Sequence, residues 1–247
     1  MYFDDTPGLQ VSSARIDNAY DGVRLRRTLV LPTLPGLEAP LVLDLVHASS
    51  EAAHVYDLPL HYSGHIMELD FQAMRHAGER PVLGADNGYQ HIWVDAEGAL
   101  EDGQGALTWI LDGRFYTYRF AGNGALTAIL GESGANDPEF NLRREPLIVL
   151  RAERDGDAHF ASVLEAHGRY DGAAEQTLKS RSAIKDLKHG HADGMDIVRL
   201  TLNSGQRFAI TVSHNPDPER RHRVALGGES LEWSGFAAVI SLPGEET

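Results

Sequence analysis

The 247-residue chain contains no cysteine. Disulfide bridges and thiolate chemistry are excluded together, so any metal site has to be assembled from His, Asp or Glu. Basic residues are also scarce: 22 Lys and Arg stand against 36 Asp and Glu, a formal charge of −14. Without a basic stripe to displace the counterions of duplex DNA, nucleic acid is not expected as a partner, although a local cationic pocket could still hold an acidic sugar. No apolar run approaches the roughly 20 residues that cross a bilayer as a helix. The first residues, MYFDDTPGLQVSSARID, lack the basic start and apolar run of a signal peptide. A membrane partner is therefore not expected either. Phosphate-cradling loops are missing, and there is no Gly-x-Ser-x-Gly elbow, because Ser63-Gly64 lies inside a His/Tyr-rich stretch.

Long amphipathic helices are hardly represented; short β-rich runs at turn-marked intervals take their place. This pattern predicts an all-β fold, an antiparallel β-sandwich occupying residues 1–247 as a single domain. Residues 1–22 are polar and turn-rich and close on Asp21-Gly22. VRLRRTLVL and LVLDLVHA then read as a hairpin across a Pro/Gly loop. Val23, Leu25, Arg27, Leu29 and Leu31 share one parity, which predicts a buried face and a partner for Arg27. TWIL and RFYTYRF flank Asp112-Gly113, the signature of a type I′ turn, and Tyr116, Tyr118 and Phe120 share a face, read as an aromatic layer between sheets with a sugar-stacking platform as the other reading. The stretch GAAEQTLKSRSAIKDLKHG is helix-compatible or irregular.

Chemistry concentrates in residues 54–65, where His54, His61 and His65 stand with Tyr56, Tyr62 and Asp57 among apolar residues. Alternation along a strand puts His54, Tyr56, Leu58, Leu60 and Tyr62 on one side and Asp57, His61 and His65 on the other. Pro59 cannot donate to a ladder, so the segment is an edge strand, a bulge or a strand–loop junction. Metal binding by His54, Asp57, His61, His65 and His91 is only weakly supported, because His54 and His61 face opposite ways. No cofactor is established by these residues. Paired carboxylates for glycoside hydrolysis can be nominated in several ways, with no reason to choose among them. Tyr20, His54, Tyr62, Arg143 and Arg144 are compatible with β-elimination on a uronate, in which Tyr and His move protons and a cation neutralises the substrate carboxylate.

The run H-x-Y-D-L-P-L-H-Y-x-G-H, followed by Leu83-Gly84 and Asn87-Gly88-Tyr89-Gln90-His91-Ile92-Trp93, resembles the C-terminal β domain of oligoalginate lyases. These belong to polysaccharide lyase family seventeen, within the heparinase II/III-like superfamily. The Tyr20-Asp21-Gly22-Val23 start, the Arg114-Phe115-Tyr116-Thr117 strand, the Arg143-Arg144-Glu145-Pro146 loop and the 160–170 segment resemble the same family, in the same order. The resemblance implies a sandwich that works against an N-terminal α/α toroid, the cleft between them cleaving an acidic polysaccharide or oligosaccharide by β-elimination. The toroid, which carries an Asn/His pair and a catalytic Tyr, is not matched in this chain. Tyr20 would correspond to the tyrosine that the β domain contributes to the cleft, and His54, Tyr62, Arg143 and Arg144 would bind substrate. The resemblance also implies a structural zinc, although the His-Asn motif that supplies one of its ligands is not matched here. Little or no lyase activity is then expected of the chain alone. A non-catalytic carbohydrate-binding or structural sandwich is the other reading. Periplasm or exterior fits a sugar-processing role somewhat better than cytoplasm.

Overall fold

The computed structural model describes residues 1–134, 144–226 and 229–244. The chain opens with β1 (Tyr2–Thr6), β2 (Leu9–Tyr20), β3 (Val23–Pro32) and β4 (Val42–Ser49). β5 (Ala53–His61), β6 (His65–Leu69) and the short β7 (Met74–Arg75) follow, then a 3-10 turn at Tyr89–His91. Next come β8 (Ile92–Leu100), β9 (Gln104–Leu111), β10 (Arg114–Gly122) and β11 (Leu126–Ser133). β12 (Glu145–Asp155), β13 (Ala158–His167), β14 (Arg169–Asp171) and β15 (Gln176–Leu178) lead to β16 (Ile184–Ala192), β17 (Met195–Leu202) and β18 (Arg207–Ser213). β19 (Arg221–Leu226), β20 (Glu229–Ser234) and β21 (Ala237–Leu242) complete the described strands. No helix among the described residues is long and apolar enough to cross a membrane.

An eight-stranded antiparallel sheet, ordered β1-β2-β3-β4-β13-β10-β9-β6, organises the molecule. Against one face packs the five-stranded sheet β5-β12-β11-β8-β7; Leu107, Phe120, Phe160, Ile148 and Leu150 fill the space between them. Against the other face packs the four-stranded sheet β16-β17-β18-β21, with Leu43, Leu45, Val163, Leu200, Phe208 and Ile210 in a second core. The β19-β20 hairpin covers the outside of that last sheet through Val224, Leu231 and Trp233. The sandwich expected from the sequence is therefore extended into stacked layers, and its central sheet is buried on both sides.

Local chemistry explains the elements. Asp112 and Gly113 both have positive φ, 50° and 77°, and join β9 to β10 in register Leu111↔Arg114, as a type I′ turn requires. Tyr118 and Phe120 lie in the first core and Trp109 stacks on Tyr116, which makes the aromatic layer an inter-sheet layer. Among the described residues β5 is an edge strand that pairs only with β12, a position that tolerates Pro59.

Three sequence expectations are corrected. Residues 1–22 are mostly strand, since β1 and β2 pair from Tyr2↔Ser13 to Thr6↔Leu9. Part of the helix-compatible stretch is β15 and most of β16, because Ile184 and Leu187 are drawn into the second core. On β3 the predicted buried face fails at Leu29 and Leu31, which are exposed, while Thr28 and Val30 are buried against the second core. Alternation is kept, but the two faces of β3 are covered along different lengths. Arg27 does have a partner: its Nε and Nη2 donate to Asp44 at 2.9 and 2.8 Å.

Candidate functional site

A cleft of about 600 Å³ lies where the end of the β2–β3 hairpin meets the edge strand β5. Arg15, Tyr20, Arg26, His54, Tyr56, Asp57 and Tyr89 contribute to its lining. Tyr20 reaches it because the Asp21-Gly22 turn ends β2 there, and 65% of the residue is exposed. His54 is paired through Nε2 with the Ser50 hydroxyl at 2.9 Å, and its ring meets that of Tyr56 edge-on. The Tyr56 hydroxyl donates to the Gly156 carbonyl, and burial pushes its pKa up. Asp57 accepts from Nε and Nη2 of Arg151, each at 2.8 Å, and from the Tyr89 hydroxyl at 2.6 Å. Burial, reinforced by that bond to Asp57, pushes Tyr89 up to about 12. Tyr89 therefore keeps its proton at neutral pH. Of the predicted site residues, the cleft unites Tyr20 and His54.

The others lie elsewhere. Tyr62, eight residues along from His54, is on the order of 27 Å away in an extended chain. It is buried against Trp109 in the first core, and that burial raises its pKa to about 12. Arg144 sits over the Trp93 ring, 5.2 Å from its centroid, and 3.5 Å from Glu132. Arg143 lies outside the described residues. His61 and His65 are exposed on β5 and β6, and Asp57 is occupied by Arg151 and Tyr89, so residues 54–65 do not gather metal ligands.

A second constellation, which sequence reasoning missed, joins the central sheet to the four-stranded sheet. Asp196 on β17 is fully buried among histidines from four elements. His189 Nε2 and His191 Nδ1 on β16 lie 2.8 and 3.1 Å from Oδ1, and His214 Nε2, just beyond β18, lies 2.7 Å from Oδ2. His47 on β4 places Nε2 2.8 Å from Oδ1, out of line for a hydrogen bond, and this buried nitrogen has no other partner. His159 on β13 packs its ring on His47 at 4.1 Å. Burial would raise the Asp196 carboxyl, but the imidazole contacts from His189, His191, His214 and His47 outweigh it and hold the carboxyl well below its usual range. His47 is shifted down by burial, against the pull of Asp196, and His159 is lowered to about 4 by burial and the neighbouring imidazoles. One ligand atom each from His47, His191, Asp196 and His214 lie within 4.8 Å of one another, so the group could chelate a metal ion.

Two signals in the sequence point toward this cluster. His189 and His191 alternate onto one strand face, and Asp193-Gly194, both at positive φ, folds Asp196 back opposite His191. His214 is brought in by the pairing of β18 with β17, whereas the approach of His47 is set by sheet packing and leaves no local signal.

Residues 202–240 match the family model described as "Exo-oligoalginate lyase-like, C-terminal domain". An "Alginate lyase" of Stenotrophomonas maltophilia (strain K279a) is 43% identical over 239 residues, covering 97% of this chain and 32% of that protein. An "Exo-oligoalginate lyase" of Saccharophagus degradans (strain 2-40) is 39% identical over 234 residues, covering 94% of this chain and 32% of that protein. The chain thus spans about a third of the length of these curated relatives. Among solved structures, a heparinase III gene product has the same fold with a TM-score of 0.50 at 10% identity, over 94% of this chain and 27% of that one.

Proposed function

We propose that this chain, a homologue of the C-terminal domain of alginate and oligoalginate lyases with a heparinase II/III-like fold, is the β half of a uronate lyase. In this reading the Tyr20–His54 cleft forms one wall of the site, and an α/α toroid supplies the rest. The observation that carries the reading is the meeting, in one open cleft, of Tyr20 and His54 with Arg15 and Arg26. In β-elimination the C5 proton, α to the carboxylate, is removed while the C4–O bond breaks. An arginine beside the substrate carboxylate would stabilise the developing negative charge, and a tyrosine and a histidine would move the protons. Tyr89, which holds Asp57 and keeps its proton, acts as a support of the cleft wall. Alginate or a related oligouronate is the substrate class this reading assigns. Zinc is the ion it assigns to the domain, because a thiolate-free set rich in imidazole with one carboxylate suits that metal.

The test is absorbance of the unsaturated uronate product on alginate oligomers, with the folded chain alone and with a homologous toroid added. Product only in the presence of the toroid supports the half-site. Tyr20→Phe should then cut turnover by about 100-fold or more, the usual scale for loss of a proton-transfer group. Turnover by the chain alone would mean a complete catalytic site within it. Binding of oligomers without turnover in either case would favour a carbohydrate-binding module.

A further inference from the structure

We propose that a cavity at the open edge between the eight-stranded and five-stranded sheets is a non-catalytic site for an acidic sugar unit, with Tyr62 and Arg75 as its principal contacts. The ligand class rests on the uronate reading above, whereas the existence of the site does not. The cavity, about 860 Å³, lies between β6, the last strand of the eight-stranded sheet, and β7, the last strand of the five-stranded sheet. That volume is within the range of small-molecule sites, about 300–1,000 Å³. No lining residue is shared with the Tyr20–His54 cleft.

Tyr62 supplies the first observation. Only 8% of the residue is exposed, yet its hydroxyl has no hydrogen-bond partner among the described residues, and the residue lines the cavity. A polar group held at this depth needs a partner, and a ligand in the cavity provides one. Burial and the nearby Asp95 and Glu132 carboxylates keep the proton on the hydroxyl, so it is offered as a donor. Arg75 supplies the charge. Arg80 contacts Asp95 at 2.6 Å and Glu132 at 2.9 Å, and Arg144 lies 3.5 Å from Glu132, so two guanidiniums offset those two carboxylates. Arg75 lines the same cavity without an ion-pair partner among the described residues and is free to meet a carboxylate. Ile66, Leu69, Phe71 and Leu130 make the walls apolar. An acidic sugar ring matches this set: its C–H faces suit the walls, its hydroxyl edge suits Tyr62 and its carboxylate suits Arg75.

The backbone is shaped around this opening. Beyond β5 the Tyr62 amide donates to the Pro146 carbonyl at 3.1 Å. Gly64, at φ 105°, then lets the chain turn closely against β9, where a Cβ would collide with the Ile110 carbonyl oxygen. Across the cavity β8 is bulged at Asp95, because Leu130 pairs with Ala96 and Gly131 with Val94. A bulge re-aims the side chain of its extra residue, and Asp95 lines the cavity. A chain of uronate units held here is kept near the Tyr20–His54 cleft without filling it, which raises its effective concentration there.

The experiment is a nuclear magnetic resonance titration of the isotopically labelled full chain with a saturated mannuronate trisaccharide, and with mannotriose as its uncharged counterpart. Amide signals of Gly64, Arg75 and Gly131 should shift with a Kd on the order of 1 mM, and mannotriose should bind about 10-fold more weakly. Tyr62→Phe keeps the ring and breaks no hydrogen bond within the protein, so its Tm should stay within about 2 °C while binding weakens about 5-fold. Arg75→Ala, at an exposed position, should weaken the acidic trisaccharide about 10-fold and leave mannotriose unchanged. No shift at these amides up to about 10 mM ligand would overturn the proposal. Shifts confined to the Tyr20–His54 cleft, or full binding by a folded Tyr62→Phe, Arg75→Ala double variant, would do the same. Equal binding of both trisaccharides would overturn the role of Arg75 and the acidic ligand class. The readout is binding and not turnover, so shifts at this cavity without lyase activity would remove the lyase reading alone, and turnover without such shifts would remove this site alone.

Discussion

At the residue scale the cleft separates groups that can react from groups that hold. Tyr20 is reachable from solvent, whereas Asp57 is engaged by a guanidinium and a hydroxyl and is not available as a base. Asp57→Ala strands the partly buried Arg151 guanidinium and removes the acceptor of Tyr89. The expected cost is about 3 kcal/mol, read as a lower urea midpoint with m unchanged. Tyr89→Phe removes one hydrogen bond to a charged acceptor and should cost about 1.5 kcal/mol by the same measurement. The larger loss for Asp57→Ala is the distinguishing result; equal losses would mean that Arg151 finds another partner.

At the scale of elements, β5 shows how sequence and position combine. Its alternation places Tyr56, Leu58 and Leu60 against the first core, and its edge position accommodates Pro59. The β9–β10 hairpin depends more sharply on one residue. Gly113 stands at φ 77°, and a Cβ there would lie 3.1 Å from the Tyr170 carbonyl oxygen. Gly113→Ala should therefore cost about 1–2 kcal/mol through left-handed strain and crowding. Amide hydrogen exchange should show the loss of protection concentrated in β9 and β10.

At the scale of the molecule, the eight-stranded sheet contributes to both large cores, so the layers are expected to unfold together. Ile148→Ala in the first core and Phe208→Ala in the second each empty a buried site and should cost about 2–5 kcal/mol. Both should lower a single calorimetric transition; two separable transitions would show that the four-stranded sheet is an independent unit. Alkaline pH tests the buried tyrosines. Burial raises Tyr2, Tyr62 and Tyr89 to about 12 from an ordinary value of 10. Above pH 10 the unfolded chain releases these protons before the folded one does, so their contribution to stability is present below pH 10 and declines as pH rises toward 12. Tyrosinate absorbance should accordingly lag in the folded protein and rise together with the loss of ellipticity.

The sequence by itself determined most of the strands between β3 and β13 and those after β16, the type I′ turn at Asp112-Gly113, the exclusion of Pro59 from a central strand and the resemblance to lyase β domains. These depend on period-two alternation, on turn chemistry and on runs of neighbouring residues, all of which are local. It also put Tyr20 and His54 forward together, and packing brought them to one cleft. Tertiary structure decided the rest. Tyr62 shares a parity with His54, yet lies in the core just beyond the far end of β5. Leu29 and Leu31 are exposed because covering layers, and not alternation, decide which apolar side chains are buried. The Asp196 cluster takes His189, His191 and His214 from its own sheet through the β16–β17 and β17–β18 pairings, but His47 and His159 come from strands remote in sequence, and only the packing of two sheets face to face brings them within reach of that carboxylate.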